Sequence, residues 1–237
     1  PPSKKNRDNP ANAENNKTVT QNTLSFVSGS GSSSNYTMGT ISLTITPRPV
    51  NVSLEKIYDG TLDAPASGLK TNGITNRVGG QTLTLSGTGQ MANTGAEVAK
   101  TLAGNGNLTL GNGSGSASNY TLVDGSHIID VTPRTTVASG TMYYTAATMA
   151  PASAFNSFTN VVGSDVVSLS GNGSIPTAPV GSKSVAMGTL TSANTNYMLT
   201  GASLTVTKRP LNLHGSRVAE MTTPAFSKAV LAAELSM

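Results

Sequence analysis

Cysteine and tryptophan are absent from the 237-residue chain, and the other aromatic residues and the charged residues are scarce. Without cysteine the protein can form neither disulfides nor thiolate metal sites. Aromatic residues make up 4% and charged residues 11% of the sequence, which excludes a large aromatic core. The β-branched and leucine residues that are present suffice for modules of roughly 80 residues. Apolar runs are only a handful of residues long, so we expect no membrane insertion.

The positive charge is dispersed rather than gathered into one patch. The formal net charge is +4, and many of the basic residues lie near the two ends of the sequence. The basic residues in between are scattered, and no aromatic residues are interleaved with them. Nucleic-acid-binding surfaces usually combine clustered lysine or arginine with such aromatics. We therefore expect no nucleic-acid partner.

Side chains suited to catalysis or metal binding are few and poorly spaced. Only two histidines serve the whole chain, and Asp165 is the only carboxylate between residues 135 and 207. This part of the chain therefore cannot hold a carboxylate pair, and no Ser-His-Asp spacing recurs. Asp59 and Asp63 provide too few oxygens for a calcium loop. We predict no catalytic residues, no metal, no cofactor and no enzymatic activity.

The sequence instead contains an internal repeat. An Asn-Tyr pair occurs three times, and each pair is followed by an alternating apolar and polar segment with a threonine and an arginine at its end. The unit is roughly 80 residues long, the size of a small domain. In order, the pairs and segment ends are Asn35-Tyr36 with Thr46-Pro47-Arg48, Asn119-Tyr120 with Thr132-Pro133-Arg134, and Asn196-Tyr197 with Thr207-Lys208-Arg209.

The repeat predicts how the chain is divided. Proline fixes φ and cannot donate to a β ladder, so we place the boundaries between units at the linkers that contain Pro47 and Pro49, Pro133, and Pro210. Because the sequence starts and stops inside a unit, we expect it to be a fragment. The predicted segments are a polar tail or linker at residues 1–21, the second half of a truncated repeat at 22–46, complete repeats at 47–132 and 133–207, and the start of a truncated repeat at 208–237, with a short helix after Pro224.

Alternation with a period of two predicts half-buried strands throughout. Val50, Val52 and Leu54, for example, alternate with polar residues, and similar runs are separated by glycine, asparagine and proline. Such short runs favour antiparallel pairing. We therefore predict an all-β fold of tandem small antiparallel β modules, either β-sandwich or β-grasp-like, arranged as an elongated array.

The repeated tyrosines are predicted to have structural roles. In each Asn-Tyr pair we expect the asparagine to turn the chain and the tyrosine to bury its ring, with its hydroxyl reaching a backbone partner. Tyr58-Asp59-Gly60 follows the first strand of its repeat and is expected to be a turn with an anchoring tyrosine. The predicted structural positions are Tyr36, Tyr58, Asp59, Gly60, Asn119, Tyr120, Tyr144, Asn196 and Tyr197.

Two of the Asn-Tyr pairs also fit the acceptor pattern for N-glycosylation. Asn35 and Asn119 are followed by Tyr-Thr, which makes them candidate glycan acceptors. The third pair, at Asn196, is followed by Met198 and does not fit the pattern. Since the Asn-Tyr pair persists while the acceptor threonine does not, the structural interpretation is favoured.

Nearly the whole chain after about Leu24 resembles a known family, and the motifs that carry the resemblance lie in residues 47–134. The ordered motifs are Pro47-Arg48-Pro49, Tyr58-Asp59-Gly60, a Gly-Gly break, and a Leu-Thr-Leu-Ser-Gly segment, followed by Asn119-Tyr120-Thr121. This combination resembles the YDG-type repeat, which is related to mostly-β MBG modules. Such repeats occur in large bacterial exoproteins, including filamentous-haemagglutinin-like adhesins exported by two-partner secretion.

The resemblance implies tandem β modules in a stalk, secretion or placement at the bacterial cell surface, and roles in cell adhesion or biofilm. Our first hypothesis is therefore a fragment of a secreted surface adhesin, whose modules act as spacer and adhesive surface. Its partner would be a protein or glycan on a host or neighbouring cell, and unpaired terminal strands predict head-to-tail self-association. The alternative is a carbohydrate-binding or accessory module of an exported enzyme. A continuous β-solenoid is disfavoured because solenoid coils run roughly 20–30 residues.

Overall fold

A computed structural model describes residues 12–20 and 22–211, and within them the fold is all-β, as predicted. Four single-turn 3₁₀ segments, Ser33–Asn35, Ala66–Gly68, Ala117–Asn119 and Ala152–Ala154, interrupt the strands. The nineteen strands are β1 Glu14–Val19, β2 Ile41–Ile45, β3 Arg48–Ile57, β4 Asp63–Pro65, β5 Leu69–Thr75, β6 Leu83–Ser86, β7 Thr88–Met91, β8 Glu97–Gly104, β9 Thr109–Asn112, β10 Tyr120–Leu122, β11 Ile128–Thr132, β12 Arg134–Tyr143, β13 Met149–Pro151, β14 Phe155–Phe158, β15 Leu169–Ser170, β16 Asn172–Ser174, β17 Gly181–Ser184, β18 Thr191–Ser192 and β19 Tyr197–Thr207.

Residues 47–132, here called repeat two, are organised around the long strand β3. On one side β3 pairs with β5, and on the other it pairs with β10 and β11, which lie end to end. The sheet continues through β8 and β7 to β4, and β6 pairs with β9 separately. The alternation predicted for β3 is confirmed, because Val50, Val52 and Leu54 are fully buried.

Residues 133–207, here called repeat three, have the same topology. The long strand β12 pairs with β14 on one side and with β19 on the other, and β19 pairs with β17. The small pairs β13–β16 and β15–β18 correspond to β4–β7 and β6–β9. In repeat three the single continuous strand β19 takes the place that β10 and β11 have in repeat two. The two repeats therefore share a fold as well as sequence motifs.

The prediction of antiparallel modules was wrong for the central strand pairs. The first strand of each repeat runs parallel to the last: β3 with β11, and β12 with β19. Parallel neighbours need a long crossover connection, and the many residues between the first and last strands provide one. The chain therefore enters each repeat at one end of this pair and leaves it at the other.

The prediction of a polar tail over residues 1–21 was wrong for β1. Residues 14–19 form a strand that pairs antiparallel with β2, through Lys17 opposite Leu43 and Val19 opposite Ile41. This pair matches β8 with β11 in repeat two, where Lys100 lies opposite Ile129. Backbone hydrogen bonds to β2 hold the strand despite its polar composition. Residues 12–46, here called repeat one, thus contain two paired strands.

A buried histidine fills the break between β10 and β11. His127 is 1% exposed, and its Nδ1 accepts a hydrogen bond from Val52 N–H at 3.2 Å. Its Nε2 is buried without a hydrogen-bond partner. Burial lowers the pKa of His127, although the charge of Asp124 acts in the opposite direction. The imidazole is therefore held in the neutral form as part of the core of repeat two.

The helix predicted after Pro224 lies outside the described residues, as does most of the predicted segment 208–237. Among the residues that the structure describes, no helix has the length and apolar character needed to cross a membrane.

Candidate functional site at the joints between repeats

One hydrophobic cluster contains buried residues of both repeats two and three, among them Tyr58 and Tyr197, and each repeat also has a cluster of its own. Pro133 is the only residue between β11 and β12, so the two repeats meet directly. Tyr58, at the end of β3, is 4% exposed, and Tyr197, at the start of β19, is 3% exposed. Their ring centroids are 5.6 Å apart in an edge-to-face arrangement. We call this contact region, with its surrounding side chains, the second joint.

One carboxylate links the two tyrosines. The Tyr58 hydroxyl donates to Asp165 Oδ2 at 2.9 Å, and the Tyr197 hydroxyl donates to the same oxygen at 2.7 Å. The Tyr197 hydroxyl also accepts from Val162 N–H at 2.8 Å. Asp165 and Val162 lie in one turn of repeat three, since Asp165 N–H donates to Val162 C=O. The polar ends of both buried rings are therefore satisfied within the joint.

The electrostatics of this group keep both phenols protonated. Burial raises the pKa of Tyr58, and its hydrogen bond to Asp165 raises it further. Burial likewise raises the pKa of Tyr197, with Asp165 adding to the shift and the Val162 N–H opposing it. Both hydroxyls consequently act as donors toward the carboxylate at neutral pH. The arrangement is suited to holding the facing surfaces of repeats two and three together.

An asparagine side chain adds a second link across the joint. Ala96, just before β8 in repeat two, donates its N–H to Asn196 Oδ1 at 2.8 Å. Lys100, which is only 6% exposed, fixes the loop before Ala96 by donating to Asn93 Oδ1 at 2.9 Å and to Gly95 C=O. The asparagine of the Asn-Tyr pair therefore contacts the preceding repeat. The predicted role of this asparagine, turning the chain, does not include such a contact.

An arginine fastens the start of repeat three to the same site. Arg134 donates from Nη1 to Tyr58 C=O at 3.2 Å and from Nε to Asn160 Oδ1 at 2.9 Å. Arg48 makes the matching contact at the start of repeat two, donating from Nη2 to Asn76 Oδ1 at 2.8 Å. Both asparagines adopt a positive φ, 57° at Asn160 and 64° at Asn76.

The Asp-Gly that follows Tyr58 shapes the turn at the joint. Asp59 Oδ1 accepts from Lys56 Nζ at 2.7 Å and from Thr61 N–H at 3.0 Å. Gly60 has φ +75°, and a Cβ at this position would lie 2.9 Å from Val162 Cγ1 of the next repeat. Glycine is therefore required here both by the backbone conformation and by the close approach of repeat three.

The first joint, between repeats one and two, repeats several of these contacts. Ala13 N–H donates to Asn119 Oδ1 at 2.7 Å, as Ala96 does to Asn196. The Tyr120 hydroxyl accepts from Val78 N–H at 3.2 Å and donates to the Gln81 side chain. Gln81 thus stands where Asp165 stands in the second joint. The described part of repeat one provides no tyrosine in the place of Tyr58.

The remaining predicted positions lie apart from these joints. Tyr36 is 65% exposed and packs edge-to-face on Phe26, with centroids 6.3 Å apart. Tyr144 aligns with Tyr58, and its N–H donates to Thr207 C=O as that of Tyr58 does to Thr132, but its side chain is 41% exposed. Asn35 is exposed and free of the joints.

Asn119, the other candidate glycan acceptor, lies in the first joint. Its Nδ2 already donates to Asn12 Oδ1, so a glycan there would displace a joint contact.

Several members of the site are not among the positions predicted from the sequence. As a lone carboxylate Asp165 is not expected to have a role, and Ala96, Lys100 and Asn160 are not among the predicted positions. The matching spacing of Val78-Gly-Gly-Gln81 and Val162-Gly-Ser-Asp165 is the signal that marks the acceptor position. Within residues 12–20 and 22–211, no group of three or more histidine, cysteine, aspartate or glutamate side chains could hold a metal ion.

The fold and the joints define a tandem all-β repeat protein. A YDG domain is found at residues 41–127, a range that begins with β2 and ends at His127. It contains Tyr58-Asp59-Gly60 of the second joint together with Asn119 and Tyr120 of the first. Neither the curated proteins nor the solved structures include a match to this chain.

Proposed function

We propose that the protein is part of an exported bacterial surface protein, in which YDG-type repeats act as a semi-rigid stalk or spacer. The observation that supports this most strongly is the second joint, where Tyr58, Asp165 and Tyr197 bury a contact between consecutive repeats. A flexible tether needs no such contact, because a linker alone would join the modules. A joint that recurs from repeat to repeat is what a spacer of defined length requires.

The direction of the chain supports the same proposal. Because β3 and β11 are parallel, the chain advances by about the length of one strand in each repeat before Pro133 begins the next. At about 3.3 Å per residue, a strand of the length of β3 spans roughly 30 Å. Two repeats in line would therefore extend over roughly 60 Å, with their joint at the middle.

Secretion to the bacterial surface and an adhesive role are further parts of this proposal. They rest on the resemblance of the repeat to those of bacterial exoproteins, and the partner would be a protein or glycan on a host or neighbouring cell. Protease added to intact cells of the source bacterium should remove the repeats if they lie outside the cell. Full protection of the repeats until the cells are lysed would contradict this.

A carbohydrate-binding role is the weaker candidate. Sugar sites need exposed aromatic side chains, and the exposed Tyr36 and Tyr144 occupy positions whose counterparts Tyr120 and Tyr58 are buried. Because these positions carry buried, structural tyrosines elsewhere in the chain, a structural role is favoured over a sugar platform. A glycan array would distinguish the two, since saturable binding lost in Tyr144→Ala would favour the carbohydrate-binding role.

Small-angle X-ray scattering on a protein spanning residues 47–207 tests the spacer role. A compact globule of this length would have a radius of gyration of about 15 Å. Two repeats in line over roughly 60 Å should give about 20 Å. A compact value, or a scattering profile that shows the repeats packed side by side, would contradict the proposal.

A further inference from the structure

Tyr58 and Tyr197 converge at the hydroxyl ends of their rings. All six tyrosines of the chain lie within the described residues, and this is the one contact there between two tyrosine rings. The ring centroids are 5.6 Å apart, and the two hydroxyls reach the same atom, Asp165 Oδ2, at 2.9 Å and 2.7 Å. The ring carbons next to each hydroxyl are therefore brought toward each other. When a phenol is oxidised by one electron, these carbons share the unpaired electron and form new bonds.

Asp165 provides the base that such an oxidation needs. A phenol has a pKa of about 10, so at neutral pH it gives up an electron readily only when its proton leaves as well. Asp165 Oδ2 is hydrogen-bonded to both phenol protons and can accept one without any movement of the chain. The Asp165 side chain also lines an open cavity of about 550 Å³ beside the joint, through which the proton can pass to solvent.

Burial restricts the reactions that an oxidised ring can undergo. Tyr58 is 4% exposed and Tyr197 is 3% exposed, so dissolved reductants and the tyrosines of other molecules are kept away from both rings. Loss of an electron does not need contact with solvent, because electrons tunnel through several ångströms of protein. Two radicals formed in the joint therefore react with each other, since their proximity gives each a high effective concentration at the other.

We propose that the second joint is an oxidative cross-linking site, where a one-electron oxidant of the kind that peroxidases generate converts Tyr58 and Tyr197 into dityrosine. Each ring gives one electron to the oxidant, and its hydroxyl proton leaves through Asp165, which releases the first proton to solvent before it accepts the second. The two radicals form one carbon–carbon bond between the carbons next to their hydroxyls. The hydrogen on each of these carbons then moves to the oxygen of its ring and restores the phenol. The product has lost two electrons and two protons, and two equivalents of oxidant are reduced.

The first joint provides a comparison within the same chain. Tyr120 donates there to Gln81, whose amide does not take up a proton at neutral pH, and no second tyrosine ring in the described residues contacts it. Cross-linking is therefore expected at the second joint alone. The bond prevents repeats two and three from separating; this use of the cross-link, though not its chemistry, rests on the spacer role proposed above.

Photo-oxidation of the full chain tests the site. A ruthenium tris-bipyridyl complex with persulfate, illuminated briefly in dilute protein, supplies the one-electron oxidant. The monomer fraction should gain dityrosine fluorescence, lose the mass of two hydrogen atoms, and yield a proteolytic peptide pair joined at Tyr58 and Tyr197. Tyr58→Phe and Tyr197→Phe should each abolish this product, whereas Tyr143→Phe, at a ring that is 60% exposed, should leave its yield unchanged.

Asp165→Asn separates proton transfer from proximity. Asparagine keeps the size of the side chain and an acceptor oxygen for the two hydroxyls, but it cannot take up a proton. The yield of the cross-linked monomer should fall roughly tenfold or more, because a positioned base is lost. The near-ultraviolet circular dichroism of the tyrosines should stay close to that of the parent, which shows that the rings remain packed.

Three results would overturn the proposal. The first is the absence of a cross-linked monomer in the parent protein, and the second is a cross-link that persists in Tyr58→Phe. The third is a product joined only through exposed tyrosines of different molecules. An undiminished yield in Asp165→Asn with packed rings would overturn the role given to the carboxylate. Failure of the cross-link would leave the spacer role unaffected, since scattering on residues 47–207 tests that role without an oxidant.

Discussion

The rings of Tyr58 and Tyr197 meet edge-to-face at 5.6 Å, although they belong to consecutive repeats, and both hydroxyls donate to the same oxygen of Asp165. Edge-to-face aromatic pairs contribute about 0.5–1.5 kcal/mol beyond their buried area, and hydrogen bonds to a charged group about 1.5–3 kcal/mol. The second joint, in which Tyr58, Asp165 and Tyr197 are all present, is thus a tightly packed part of the core. The stability of repeats two and three should therefore be coupled.

Tyr58→Ala should be among the most destabilising single substitutions in the chain. Truncating a buried aromatic side chain costs about 3–5 kcal/mol, and here it also removes a donor to Asp165. Tyr58→Phe should cost about 1–2 kcal/mol, because only the hydroxyl is lost. Tyr143→Ala is the matched control, since that ring is 60% exposed. Guanidinium unfolding measures all three, and equal effects of Tyr58→Ala and Tyr143→Ala would refute the role of the joint.

Gly60→Ala should disturb the joint beyond the cost of its backbone conformation. Gly60 has φ +75° and lies against Val162, whereas Gly80 has φ +71° and nothing within 4 Å of an added Cβ. Both substitutions cause similar backbone strain of about 1 kcal/mol. The difference in destabilisation between Gly60→Ala and Gly80→Ala measures the cost of the contact between the added Cβ and Val162. Combining Val162→Ala with Gly60→Ala should reduce this difference. Equal losses from both glycine variants would show that the contact is unimportant.

Acidification between pH 7 and pH 5 should destabilise repeat two through His127. Burial lowers the pKa of this histidine in the folded state, so the unfolded chain takes up a proton near pH 6.5 while the folded chain does not. The free energy of unfolding should therefore fall as the pH drops through this window. The pKa values of Asp59 and Asp130 are also lowered, but those carboxylates lose their contribution only below about pH 4.

The matched variant for this experiment is His127→Gln. It has no group that titrates between pH 5 and 7, so its unfolding free energy should change less than that of the parent over this range. Thermal unfolding at several pH values provides the comparison. Identical pH profiles for the two proteins would show that His127 does not couple folding to protonation.

Lys100→Met should loosen the loop that presents Ala96 to Asn196. The substitution keeps the apolar stem but removes the ammonium group, which donates to Asn93 and to Gly95 C=O. Leaving these acceptors without a partner should cost about 1–3 kcal/mol. Lys183→Met, at the matching position of β17, is the control. Hydrogen exchange at residues 93–97 should accelerate in Lys100→Met alone, and an unchanged rate would contradict the role assigned to Lys100.

The strand pattern could be predicted because it depends on local chemistry. Period-two alternation identified β3 through Val50, Val52 and Leu54, and the prolines at 47 and 133 stand between consecutive strands. The parallel pairing of β3 with β11 could not be predicted from short runs and turns, because it depends on contacts between residues far apart in sequence. β1 was missed because its polar residues are held by the backbone of β2 rather than by buried side chains.

The joint could be predicted only in part. The recurring tyrosines marked the positions that contact each other, but the sequence did not indicate that Tyr58 meets Tyr197 of the following repeat. Asp165 was not recognised because its counterpart is Gln81, so the residue type changes while the role of acceptor persists. Asn196 was expected to turn the chain, and its bond to Ala96 became evident only when both repeats were placed together.

The most direct test of the joint is the relative order of repeats two and three in solution. Amide residual dipolar couplings, measured on the full chain in a weakly aligned medium, report whether two modules tumble as one body. We predict that one alignment tensor fits β3 and β11 together with β12 and β19, and that Tyr58→Ala separates them into two tensors of different magnitude. Two unrelated tensors in the unmodified protein, or a single tensor that persists in Tyr58→Ala, would contradict the central role of the Tyr58–Asp165–Tyr197 contact.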